Sequence, residues 1–171
     1  ALTFHWGEWR VSESRWNSLE LSQDLVDLVS RRAARLDDAT RTALLAAAIV
    51  GNTFSLEAIQ AVSHIDAEAA SVAIEEGIRA RMIEQRSSSL FGFVHDRIRE
   101  SFLKSLDPSK RAQYHTRAAE FLLQSDSEEP GVTITAARHC NASDSDDLEW
   151  RLRLNRTAAR EAVALFANSE A

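Results

Sequence analysis

One cysteine, Cys140, stands in 171 residues, so no disulfide can close within the chain and a reducing, cytoplasmic setting is expected. No run approaches the roughly 20 apolar residues of a membrane-spanning helix, and the N-terminus lacks the basic stretch and apolar run of a secretory signal. None of the five glycines precedes a lysine. The Gly-Lys-Ser/Thr element of a phosphate-binding P-loop is therefore missing, which excludes ATP hydrolysis by that route and leads us to expect no enzyme and no cofactor held by this chain alone. Basic residues are outnumbered 20 to 26 by acidic ones, and the net charge of −6 repels phosphate backbones and anionic lipid. Neither nucleic acid nor a membrane is expected as a partner.

What is present suits a folded domain, because 44% hydrophobic residues can fill a sizeable core. Leu2 to Trp6 and Trp9 to Val11 are strand-like runs around Gly7-Glu8, which predicts a hairpin turning at those two residues. From Ser22 the period becomes helical, with Leu25, Leu28, Val29, Arg32 and Leu36 on one face. A second helix is expected from Asp37 or Asp38 to Gly51, with the glycine in a left-handed cap. Ser55 caps a third, with Leu56, Ile59 and Val62, and Asp66 a fourth, running to Met82. Residues 83–86 and 90–94 then read as two strands joined by Ser87-Ser88-Ser89. Three short capped helices followed by a hairpin is the winged-helix order; a helix bundle broken by an irregular loop is the alternative.

Beyond the wing, Ile98, Phe102 and Leu106 share a helical face, Pro108 suits the first turn of the next helix, and two more helices are expected at 133–141 and 146–168. From Pro108 onward alanines recur at 118, 119, 136, 137, 158, 159, 162, 164 and 167, small enough for antiparallel helices to approach closely. The expected fold is thus mainly α: a hairpin or linker over 1–21, a winged helix over 22–107, and over 108–171 antiparallel helices resembling the start of a tetratricopeptide-like array. Because the chain opens without methionine and closes on a running helical pattern, a segment of a longer protein is expected.

Two segments carry a family resemblance. Residues 36–56, LDDATRTALLAAAIVGNTFSL, and 91–102, FGFVHDRIRESF, resemble the winged-helix region of signal-transducing (STAND-type) AAA+ ATPases, as found in LuxR-type regulators and in multidomain serine/threonine or histidine kinases. The final helix is similar to the first repeat-like helices of those proteins. The resemblance spans almost the whole chain, on motifs of moderate specificity. It implies a regulatory, non-catalytic role, coupling the nucleotide state of an upstream P-loop domain in cis to downstream helical repeats. In this superfamily a His-Asp pair after the wing, often preceded by methionine, belongs to a latch for bound ADP. Val94-His95-Asp96 occupies that position here. The resemblance implies that His95 contacts a phosphate of ADP held by the neighbouring domain of the intact protein, that Asp96 caps or charge-balances the helix start, and that Val94 replaces the methionine as an apolar anchor.

Other readings compete. The helical region can be a module for a protein partner, with the winged helix as spacer. A DNA-reading winged helix is disfavoured, since residues 66–86 hold five acids against three arginines. His139-Cys140 lacks the second ligand pair of a zinc site and reads as a buried or helix-surface pair, and the scattered His5, His64 and His115 read as surface or packing residues. The tryptophans at 6, 9 and 16 are read first as docking the N-terminal hairpin and second as interface anchors.

Overall fold

A computed structural model describes residues 2–5, 8–11, 31–33, 35–125 and 130–169, and the chain divides into two compact units, Ala1–Arg35 and Leu36–Ala171. In the first unit, β1 (Leu2–His5) and β2 (Glu8–Val11) form the expected antiparallel hairpin. Glu8 lies in the second strand opposite His5, not in the turn. The helix expected from Ser22, the boundary at 21/22 and the three N-terminal tryptophan side chains lie outside the described residues, apart from helical backbone at 31–33.

The second unit is built around α1 (Asp38–Val50). Asp37 starts it: its carboxylate accepts from the backbone N–H and the hydroxyl of Thr40, both at 2.8 Å, which holds the acid below its usual range. Every residue from Ala43 to Ile49 is buried, so α1 has no solvent face over its second half and reads as the central helix of a core. Its alanines leave room for close neighbours on all sides.

Gly51 closes α1 with φ 157° and ψ −165°, an extended glycine conformation in place of the left-handed cap expected, and the chain runs straight on into β3 (Thr53–Ser55). This strand escaped the sequence reading because it is three residues long and only Phe54 is buried. Ser55 caps α2 (Leu56–Ser63) through Ala58 N–H, and Asp66 caps α3 (Ala67–Arg79) through Ala69 N–H. α3 stops short of Met82 because Arg81 turns left-handed at φ 56°. Arg81 N–H then bonds Ile78 C=O and Met82 N–H bonds Gly77 C=O, the paired bonds of a Schellman termination.

β4 (Ile83–Gln85) and β5 (Leu90–Phe93) form the wing, and β5 lies centrally in a sheet of order β3-β5-β4. Helix, strand, two helices and a hairpin is the winged-helix order. Its aromatic seam runs from Phe54 to Phe93, edge-on at 5.4 Å, and from Phe93 to Phe102 at 6.1 Å, joining β3, β5 and α4 (Asp96–Ser105). Ile98, Phe102 and Leu106 are all buried, as their spacing requires.

α5 (Pro108–Gln124) begins at the cap Asp107 with Pro108 in its first turn. α6 (Val132–Asn141) and α7 (Leu148–Ser169) follow. α6 returns antiparallel to α5, since His139 meets His115 and Ile134 packs with Leu122 on one cluster. α7 reverses again: Asn141 bonds Asn155, and Glu161 accepts from Gly131 N–H. Ala119, Ala136, Ala137, Cys140, Leu154 and Ala158 form the seam, whereas Ala159 and Ala164 are exposed and take no part in it. The 107/108 junction separates helices packed as one unit: α5 contacts α1 and α2, and Arg117 donates to Val62 C=O at 3.0 Å.

Phe93→Ala, which removes the middle ring of the aromatic seam, is expected to cost about 3–5 kcal/mol in urea unfolding. A loss below about 1 kcal/mol would show that the seam does not hold the wing.

Candidate functional site

The wing delivers the chain to α4 at His95. Val94 N–H donates to Met82 C=O, and His95 then leaves the sheet in an extended conformation as the N-cap of α4. Its Nδ1 accepts from Arg97 N–H at 3.2 Å. An accepting Nδ1 places the ring hydrogen of the neutral imidazole on Nε2, which belongs to an exposed side chain. His95 is thus itself the cap. Asp96 stands in the first turn, where a carboxylate complements the helix dipole. Val94 is 45% exposed and so is not anchored in this unit's core. Arg97 pairs with Glu100 at 3.4 Å.

This geometry supplies one outward N–H donor at a helix start. It fits a single contact to a phosphate whose other ligands come from elsewhere. A phosphate-bearing ligand would receive hydrogen bonding from His95 and a favourable dipole from α4, with Asp96 opposing through its charge.

The outward face of α3, which a DNA-reading winged helix would present to a groove, carries exposed Glu68, Val72 and Glu75, and its Arg79 is paired to Glu76. In the wing, Arg86 pairs with Glu84 at 2.8 Å.

A second constellation was missed in the sequence, where His115 and His139 read as unrelated. The antiparallel return of α6 brings their Nδ1 atoms to 2.8 Å, with ring centroids 5.1 Å apart. The His139 ring also lies beside Val50, the last residue of α1, across a shared cleft. One Nδ1 of the pair must donate and the other accept, so the two rings adopt opposite roles at this contact. Burial, then the charges of His139, Arg111 and Arg99, hold His115 down to about 4; burial and Arg99 lower His139, against the opposing pull of the Val50 backbone. Both rings are neutral at neutral pH. Arg99 in turn donates from Nε to Ala48 C=O at 2.9 Å.

The only sequence signal for this pair was two histidines 24 positions apart on consecutive helices, and it becomes a contact only once the helices are known to be antiparallel. Neighbouring Cys140 faces the apolar seam, and burial pushes its thiol up despite Arg151 nearby. Among the described residues no three His, Cys, Asp or Glu side chains converge as a metal requires, and no helix is long and apolar enough to cross a membrane. A cleft of about 440 Å³ lies beside the pair, between Val50 and Thr53 on one side and Phe121, Leu122, Ile134 and Arg138 on the other.

By fold, the described chain is a winged helix continued by antiparallel helices. Comparison with protein-family models, curated proteins and solved structures found no match to it.

The histidine pair fixes a pH dependence. Both rings bind fewer protons folded than unfolded between the lowered native values and the ordinary 6.5, so their contribution is complete above about pH 6.5 and lost as pH falls toward 4. The urea midpoint should drop across that window, and His115→Gln should make the drop shallower. An equal slope in both proteins would remove the pair from the account.

Proposed function

We propose that this chain is a non-catalytic regulatory segment of a cytoplasmic signalling ATPase, one linked to a kinase or a transcription regulator. In this reading it couples the nucleotide state of an upstream P-loop domain to downstream helical repeats, with His95 contacting a phosphate of the ADP held by that domain. The supporting observation is the exposed His95 at the cap of α4, its Nδ1 engaged by Arg97 N–H, which leaves its Nε2–H as the ring's remaining donor. The His-Asp pair sits directly after the wing, as the resemblance of residues 91–102 implies. The acidic outer face of α3 favours a protein neighbour over DNA.

The mechanism is conformational. Bound ADP would supply phosphate charge, and the chain's part is to hold a preoriented donor against it on a helix packed to the central helix α1. A switch of this kind works only if the two nucleotide states differ in the free energy of that contact. Loss of the contact would release the winged helix from its neighbour, and the rigid packing of α5 on α1 and α2 would carry α6 and α7 with it.

In the intact protein, His95→Ala should speed ADP release by about tenfold or more, the loss of one hydrogen bond to a charged group, and raise basal output. His95→Asn is the control for folding: asparagine caps a helix as well as any residue, so thermal stability should hold while ADP retention falls. Unchanged ADP retention in both variants would remove the latch role.

A further inference from the structure

The outer face of α7 carries an apolar stripe that packs on nothing among the described residues. Leu148, Leu152 and Val163 are 71%, 59% and 70% exposed, and exposed Ala159 lies between them. Their offsets of 4, 7 and 4 place all four on one side of the helix. The opposite side, with Trp150, Leu154 and Ala158, is committed to the seam with α6. α7 is thus apolar on two faces, and isolated exposed leucines do not explain a periodic row of them.

Charge defines what fits the row. From Leu148 to Leu165 the chain holds four arginines against two glutamates, in a protein of net charge −6. Arg153 is paired to Glu149, and half-buried Arg151 donates to Ser145 C=O. Arg156 and Arg160 are exposed, one turn apart along one edge of the stripe, and form no ion pair among the described residues. A second copy of this chain fits poorly: antiparallel two-fold pairing of α7 sets the two arginine edges on the same side of the contact, where like charges oppose.

We propose that this face of α7 is the docking surface for an amphipathic helix of a protein partner. The partner helix carries apolar residues at i, i+4, i+7 and i+11 and carboxylates along the edge that meets Arg156 and Arg160. The mode is helix on helix, with apolar residues supplying affinity and the arginines supplying register. The assignment goes beyond the nucleotide reading of His95 and does not depend on it.

The test uses the full 171-residue chain and two synthetic helical peptides as long as α7, both with leucines at i, i+4, i+7 and i+11, one with glutamates and the other with lysines along the flanking edge. The glutamate peptide should bind saturably by fluorescence anisotropy and shift the NMR methyl signals of Leu148, Leu152 and Val163. The lysine twin, and the Arg156→Glu/Arg160→Glu variant against the glutamate peptide, should each bind about tenfold or more weakly. Leu152→Asp, at an exposed position that leaves the thermal melt unchanged, should abolish binding. Absence of binding, equal binding of the two peptides, binding insensitive to Leu152→Asp, or self-association of the chain through this stripe would each overturn the assignment.

Discussion

The second unit depends on how the end of one buried helix is satisfied. α1 is enclosed by α2, α3, α4 and α5, and the last turn of any helix leaves carbonyls without intrahelical partners. Buried carbonyls left unpaired would cost about 1–3 kcal/mol each. Here Gly51 N–H bonds Ala47 and Arg99 of α4 bonds Ala48, while the His139 ring of α6 lies beside Val50. A helix distant in sequence, α4, is positioned by the acceptor it satisfies. The winged helix and the helical region are accordingly joined by polar bonds as well as by apolar contact.

From that constraint the placement of His95 follows. α4 is held by Arg99 on α1 and by Ile98 and Phe102 in the core, so the residue opening the helix is forced to its outer end, between the wing and solvent. The same anchoring orients α5 and α6 through the histidine pair and Arg117. A force on the His95 end of the unit would be passed on through packed side chains and not through a flexible linker, the property a relay between a nucleotide domain and helical repeats requires.

Much of this was legible because local chemistry decides it. Asp37, Ser55 and Asp66 cap helices where their side chains predict, and Ile98, Phe102 and Leu106 share the buried face their spacing assigns. His95 stands at a helix start as its sequence context predicts and is itself the cap, while Asp96 takes the charge-balancing place in the first turn. What escaped the sequence depends on partners far along the chain. β3 is a strand only because β5 lies beside it. Arg81 adopts a conformation usually left to glycine because Met82 is drawn into the core. Ala159 has the same side chain as Ala158 and the opposite environment, which only the direction of α7 decides.

The central claim concerns one hydrogen atom, the one on Nε2 of His95. Ring-nitrogen chemical shifts measured by NMR on the unliganded chain at neutral pH report it directly. The geometry predicts a protonated Nε2 and a bare, accepting Nδ1 for His95. A hydrogen on His95 Nδ1 would break the cap, turn the donor away from any external phosphate and contradict the account.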